Sequence, residues 1–226
     1  IDACLVGSEM CIRDSSKGRP MIDLDTWPTP NGRKVSIALE EMDLEYRCHA
    51  VNLQEQEQFK PEFLAISPNN KIPALVDHDT DQSIMESGAI LIYLADKCAS
   101  FWGDERYTTL QWLMWQMGGL GPMLGQVHYF KKYNAGKSVY AEERFFNEAL
   151  RLYGVLDKRL KAEEYLSGSY SIADMAIWPW VSRFEWQGID LVEFVNIRRW
   201  YEAIAARQAV SRGYHQPMFV NDIPAP

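Results

Sequence analysis

The sequence predicts an α/β unit over residues 21–98 followed by an all-helical unit over residues 105–226. Three observations carry that reading. Two strand-like stretches, Ile22 to Thr26 and Tyr46 to Leu53, flank Val35, Ala38, Leu39 and Met42, which recur at helical spacing. Two short runs, Ala74 to Val76 and Ser83 to Met85, bracket the polar turn Asp77 to Gln82 as a hairpin would. Beyond Asp104 every apolar series has helical spacing.

Residues 1–20 stand apart from this pattern. Their short apolar piece precedes Arg13, Lys17 and Arg19, the reverse of a signal peptide's charge order, and Asp2, Glu9 and Asp14 do not suit a transit peptide. The run from Cys4 to Ser15 looks like translated sequencing-adapter sequence. A non-native or disordered leader is therefore expected, with Met21 the true start and Cys4 and Cys11 without function.

From Met21 the elements follow in order. Ile22, Leu24 and Thr26 alternate with Asp23 and Asp25 as in a strand, and Pro28 to Gly32 is a turn that opens the first helix. The second strand gives way to the polar loop Gln54 to Gln58. Pro73 opens the hairpin, and because it has no N–H it favours a sharp turn or an edge there, with a cis Ile72–Pro73 bond expected. A helix from Ser87 to Lys97 closes the unit. Strand, helix, strand, hairpin and helix in this order make a thioredoxin-like plan. After a linker near Ala99 to Asp104, Leu110, Leu113, Met114 and Met117 share one helix face, and Phe145, Ala149, Leu152, Leu156 and Leu160 another. Gly118-Gly119-Leu120-Gly121-Pro122 breaks the helical pattern and marks a kink or a close helix crossing. Ser171 to Asp174 has capping-box spacing, with Asp in place of Glu. Trp200 and Ile204 belong to a last helix.

Composition narrows the function. The chain has 226 residues, 47% of them hydrophobic, and a net charge of −8. That is ample material for a core. Basic runs are absent, which argues against nucleic-acid or anionic-membrane partners. No apolar run approaches the roughly 20 residues that span a bilayer. Cys48 and Cys98 form no Cys-x-x-Cys pair and read as small buried hydrophobes. His49, His78, His128 and His215 share no ligand spacing, so no metal is expected. Free thiols and the lack of a credible signal point to the cytoplasm.

Three short segments could carry chemistry. The turn Thr29-Pro30-Asn31-Gly32 precedes a helix whose N-terminal N–H groups and dipole favour an anion, a thiolate included. Lowering a thiol's pKa of about 8.5 by two units makes the thiolate the majority form, a shift of roughly 2.7 kcal/mol. The Thr29 hydroxyl and the Asn31 amide could each donate to sulfur; equally, either could simply cap the helix. Ile72, before Pro73, would offer its backbone N–H and C=O to a peptide-like ligand. Glu86 and Ser87 stand where strand becomes helix, suited to an ammonium and a carboxylate, although Ser87 also reads as a plain N-cap. Lys71 and Gln58 read by themselves as loop residues.

These residues resemble a family. Thr-Pro-Asn-Gly (29–32), the block from Phe63 to Ala74 that holds Pro-Asn-Asn-Lys-Ile-Pro, Glu-Ser-Gly-Ala-Ile-Leu (86–91), Leu-Gln-Trp-Leu (110–113), the glycine-rich block 118–126 and Tyr-Ser-Ile-Ala-Asp (170–174) resemble the cytosolic glutathione transferases, and within them the Nu class, which are glutathione-dependent disulfide-bond reductases. The resemblance runs from Met21 to about Ala209. It implies a thioredoxin-like domain plus an all-α domain, glutathione as cosubstrate, no metal, and a homodimer. It implies a glutathione site of Asn31, Gln58, Lys71, Ile72, Pro73, Glu86, Ser87 and, from the helical domain, Arg144. Thr29 and Asn31 become the sulfur ligands, since Trp27-Pro28-Thr29 occupies the place where other transferases carry a catalytic Tyr, Ser or Cys. Trp27, Tyr129 and Trp180 are expected to line the second-substrate pocket. The activity implied is disulfide-bond reduction, with organic hydroperoxide reduction beside it. Conjugation of electrophiles, or a non-catalytic glutathione-binding regulator, are the alternatives.

Overall fold

A computed structural model describes residues 21–226, so the expected leader lies outside the described residues. Strand β1 (Ile22–Thr26) runs parallel to β2 (Tyr46–Ala50), and the crossover between them is helix α1 (Pro30–Glu41). On its other side β1 pairs antiparallel with β3 (Ala74–Asp77), which forms the hairpin with β4 (Gln82–Met85). The sheet order is β2-β1-β3-β4. Strand β2 stops three residues short of the predicted end because the chain turns. Asn52 gives its N–H to the Glu57 carboxylate at 2.7 Å instead of continuing the ladder. A short helix α2 (Pro61–Ile66) lies against the hairpin, and α3 (Ser87–Cys98) packs on α1.

The second unit is helical. Helix α4 (Arg106–Trp115) continues through a π-helical segment, Gln116–Leu120, into α5 (Gly121–Val127), and a second π segment, His128–Tyr133, follows. The buried stripe on this rod is Thr109, Leu113, Gln116 and Leu120. Met114, expected on the inner face, is exposed. Gly118 and Gly119 of the glycine-rich block fall in the π segment and a Cβ at either would meet nothing, whereas a Cβ at Gly121 would lie 3.4 Å from the Trp180 ring, so the close helix approach is at Gly121. The long helix α6 (Val139–Ala162) buries Ala149, Leu152, Leu156 and Leu160, as its spacing predicts. Helix α7 (Ile172–Val181) is buried along its whole length and starts with the predicted capping box. A single turn, α8 (Phe184–Gln187), leads to α9 (Val195–Ala205) and α10 (Gln208–Tyr214).

Helix α10 has only seven residues, too few for a periodic signal, and the sequence places the last helix at α9. Yet α10 closes directly on α1. A Cβ at Gly213 would stand 2.6 Å from the Ile37 Cα, and the Ser36 hydroxyl donates to the Gly213 carbonyl at 2.7 Å. One continuous core therefore runs from Ile22 and Leu24 on the sheet, through α1 and α3, to Trp178 and Trp200. Helix α1 packs against α3 of its own unit and against α7 and α10 of the helical unit. Among the described residues no helix is long and apolar enough to cross a membrane.

Candidate functional site at the N-termini of two packed helices

The first turn of α1 is built by close approach. A Cβ at Gly32 would lie 2.2 Å from the Trp27 carbonyl oxygen, so only glycine lets the helix start this near the end of β1. Thr29 is the N-cap, its side chain accepting from the Gly32 N–H at 3.2 Å. Capping and donation do not compete here. The oxygen accepts through a lone pair, and the hydroxyl proton stays available. Asn31 is oriented from the other unit: the Trp180 indole N–H donates to its Oδ1 at 3.1 Å. An indole N–H is only a donor, so the oxygen faces Trp180 and the Asn31 NH₂ points elsewhere, free to donate.

The peptide-like edge lies at the start of β3. The Ile72–Pro73 bond is cis, as expected. The Ser67 hydroxyl donates to the Lys71 carbonyl at 2.8 Å, which shapes the turn, while the Lys71 side chain is exposed. Neither the N–H nor the C=O of Ile72 has a hydrogen-bond partner among the described residues. Gln58 lies in a 3₁₀ turn, Glu57–Phe59, with its Oε1 buried and unpartnered.

The third segment opens α3. Ser87 is not the N-cap; Glu86 holds that place, at φ 70, and no side chain caps the helix. The first-turn N–H groups are thus left for an anion. Ser87 is 3% exposed and tied to a lysine that the sequence reading missed. The Lys34 amine lies 3.3 Å from Ser87 Oγ, 2.6 Å from Gln116 Oε1 and 3.4 Å from Met117 Sδ. Lys34 is 1% exposed, and burial pushes its amine down to about 7, the charge of Glu86 opposing only in part. One signal was available: Lys34 stands four residues before Ala38, in line with the apolar stripe of α1.

A cavity of about 690 Å³ adjoins Thr29. Trp27 lines it, together with Tyr133, Arg183, Trp186, Met218 and Val220. Tyr129 does not: it is 54% exposed and packs edge-on against Phe130. The preceding residue, His128, takes the inward place, and one residue further round a helix points away. Trp180 is turned to Asn31 and stacks on His128, whose imidazole burial holds neutral, at about 4. Arg183 gives a 3.4 Å hydrogen bond to the Pro28 carbonyl and lies over Trp186. Arg144 is exposed on α6 and does not line the cavity beside Thr29. Neither free thiol among the described residues is poised to react: burial pushes Cys48 up to about 12 and raises Cys98. Among the described residues no three His, Cys, Asp or Glu side chains are arranged to hold a metal ion.

Two family models match the chain: glutathione S-transferase, N-terminal domain, over residues 20–96, and glutathione S-transferase, C-terminal domain, over residues 123–208. The chain is 51% identical over 201 residues to the disulfide-bond oxidoreductase YfcG of Escherichia coli, covering 85% of this chain and 94% of that protein. A crystal structure of a glutathione transferase from Pseudomonas putida, with one glutathione disulfide bound per subunit, superimposes with a TM-score of 0.83 at 43% identity, over 90% of this chain and 94% of that one. A family member from Pseudomonas fluorescens with two glutathione bound gives 0.80 at 45% identity, over 91% and 94%.

Proposed function

The chain belongs to the glutathione transferase family, and we propose that it is a glutathione-dependent disulfide-bond reductase of the Nu class in which the α1 turn, not a protein cysteine, activates the sulfur. The observation that carries this reading is the first turn of α1. Thr29 and Asn31 each keep a free donor at a helix N-terminus beside an open cavity, while both described cysteines are held as thiols. Donors and dipole together favour a bound thiolate. YfcG's name, and the glutathione disulfide and paired glutathione molecules in the related structures, support the same chemistry.

In the proposed cycle, glutathione thiolate attacks one sulfur of the substrate disulfide. A new S–S bond forms and the other sulfur leaves as thiolate. A second glutathione thiolate then attacks the mixed disulfide at its glutathionyl sulfur, releasing glutathione disulfide and the substrate's second thiolate. Ile72 pairs its backbone with the cysteinyl unit beside Pro73. Gln58 and Lys71 contact the rest of the tripeptide, Glu86 and Ser87 hold the γ-glutamyl end, and Arg144 reaches the ligand from the helical unit. The same thiolate attacks the terminal oxygen of an organic hydroperoxide; the O–O bond breaks, the alcohol leaves, and the resulting glutathione sulfenic acid condenses with the second glutathione to give glutathione disulfide and water. The aromatic cavity wall of Trp27, Tyr133 and Trp186 supports conjugation of electrophiles as a second reading.

The remaining parts of the proposal follow from the same family membership. The units divide as 21–98 and 105–226, and the compartment is the cytoplasm. The protein forms a homodimer, for which exposed Tyr107 and Met114 on one side of α4 offer an apolar surface. Neither nucleic acid nor a membrane enters the reaction. The test is glutathione-dependent reduction of hydroxyethyl disulfide. Cys48→Ser with Cys98→Ser should leave the rate intact, and Thr29→Ala with Asn31→Ala should lower it about 10²-fold, in the range of lost oxyanion-type donors. A double Thr29/Asn31 variant with undiminished turnover removes these residues from the mechanism.

A further inference from the structure

We propose that the Lys34 amine is the hidden positive charge of the γ-glutamyl subsite, and that a ligand carboxylate arriving at Ser87 draws a proton onto it, so that ligand binding is proton-linked. This rests on the reading of Glu86 and Ser87 as the γ-glutamyl clamp.

The geometry suits a charged amine without its counter-ion. Three acceptors surround Nζ, from Ser87, Gln116 and Met117, and an ammonium has three N–H groups to give them. No carboxylate among the described residues forms an ion pair with it. Of the charged groups on the surrounding elements only Glu86 acts on it: Arg33, its neighbour on α1, turns away to the Tyr214 carbonyl and ring, and the π segment contributes Gln116 and Met117. The site is therefore a cage shaped for a cation that desolvation keeps easy to deprotonate, with the amine at about 7.

A ligand carboxylate supplies what is missing. An oxygen hydrogen-bonded to the Ser87 hydroxyl at about 2.7 Å would lie within about 6 Å of Nζ, close enough to favour the charged form. The proton also sets the direction of the Ser87 hydroxyl. A neutral amine has a lone pair that the hydroxyl can fill; an ammonium donates to Ser87 Oγ and leaves the hydroxyl proton to Met117 Sδ, 3.7 Å away, a weak acceptor that a ligand carboxylate displaces. Binding and protonation thus favour one another. Above pH 7 the empty site must take up a proton as the ligand enters, and below it the proton is already there.

The experiment is titration calorimetry with S-methylglutathione, whose blocked sulfur carries no proton of its own, in pairs of buffers of different ionisation heat. The expected result for the wild-type protein is uptake approaching one proton at pH 8 and near zero at pH 6. Affinity should fall by up to about tenfold per pH unit above 7. The analogue with 4-aminobutyrate in place of the γ-glutamyl group keeps the ammonium but lacks the carboxylate. It should show only the small uptake that the ligand amine gives in both cases. Lys34→Gln should bind S-methylglutathione more weakly at pH 6 and without the extra proton at pH 8. If that variant does not fold, the wild-type contrast between pH 8 and pH 6 decides the matter alone. Equal uptake at the two pH values, or equal uptake in Lys34→Gln, overturns the proposal while leaving the glutathione site standing. Failure of the wild-type protein to bind S-methylglutathione at either pH overturns the glutathione reading itself.

Discussion

Three helices among the described residues, α1, α6 and α7, are capped by a hydroxyl residue, and α1 and α7 use it in opposite ways. At α7 every polar group is spent. Ser171 accepts from the Ala173 N–H at 3.3 Å and donates to Asp174 at 3.0 Å. Asp174 also takes the N–H groups of Ser171 and Leu166 and the indole N–H of Trp200 at 2.8 Å. At α1, half-buried Thr29 accepts one N–H and keeps its proton, and Asn31 accepts one indole and keeps both of its own. A saturated cap holds the helical unit together, whereas an unsaturated one leaves donors for the proposed ligand. The same local sequence signal serves both ends, and only the number of partners that arrive from elsewhere tells them apart.

The largest expected effect lies at the saturated end. Asp174→Ala leaves four buried donors without an acceptor, and orphaned donors cost about 1–3 kcal/mol each. A loss of at least about 4 kcal/mol should lower Tm by roughly 8–16 °C in a chain of this size. Thermal unfolding measures it, and turnover per folded molecule should stay near that of the wild type. An Asp174→Ala protein as stable as the wild type would show that the cap is ornamental and collapse the contrast.

Titration probes the same carboxyl from another side. Burial pushes Asp174 up to about 6, against the four donors that lower it. The folded state therefore holds a proton there that the unfolded chain, near 3.8, has released. Stability from this group is present below about pH 4 and is lost as pH rises through 6, by about 3 kcal/mol at 1.36 kcal/mol per unit. Urea unfolding from pH 4 to 7 should show that fall as a difference between the wild type and Asp174→Asn. A difference of opposite slope would mean that the donors outweigh burial.

At the unsaturated end the two functions of a cap can be pulled apart. Thr29→Asp still accepts from the Gly32 N–H and places a negative charge at a helix N-terminus, so stability should hold within about 0.5 kcal/mol. The carboxylate has no proton to give and repels a thiolate, so disulfide reduction should fall about 10²-fold. Thr29→Ser keeps both lone pair and proton, and should keep most of the activity. Equal rates for the Ser and Asp variants would reduce Thr29 to the same structural part that Ser171 plays.

How far the sequence discloses this site depends on chain distance. The turn before α1, the Ile72–Pro73 bond and the Ser171–Asp174 box each lie within a few consecutive residues, and each is visible as a spacing. The partners that decide what those segments do are remote: Ser87 and Gln116 reach Lys34 from 53 and 82 residues away, and Trp180 reaches Asn31 from 149. No local pattern announces such meetings. The place of Lys34 in line with Ala38 hints at burial, but nothing local tells that Gln116 and Met117 close over it. Tyr129 and His128 differ by one position, and only the π turns upstream decide which of them faces inward. The tail from Met218 to Pro224 carries no periodicity at all, yet it forms one wall of the cavity.

Trp180→Phe tests the last and smallest difference between the two helix starts, the orienting bond that Asn31 receives. Phenylalanine keeps the ring against His128 but has no N–H, so Asn31 Oδ1 loses its partner and the carboxamide is free to turn its oxygen toward the sulfur. Half-buried Asn31 can recover a bond to water, so the stability cost should stay near about 1 kcal/mol. A rotated carboxamide presents an acceptor where a thiolate needs a donor, and turnover should drop by a few-fold, about 1 kcal/mol of transition-state stabilisation. The thiol of bound glutathione should titrate at higher pH than in the wild type, which ultraviolet absorbance of the thiolate reads directly. Asn31→Asp, with an acceptor at both oxygens, should show the same displacement more strongly. Unchanged thiol titration in Trp180→Phe would mean that Asn31 is held by something other than the indole, and that the helical unit reaches the sulfur through contacts other than this one.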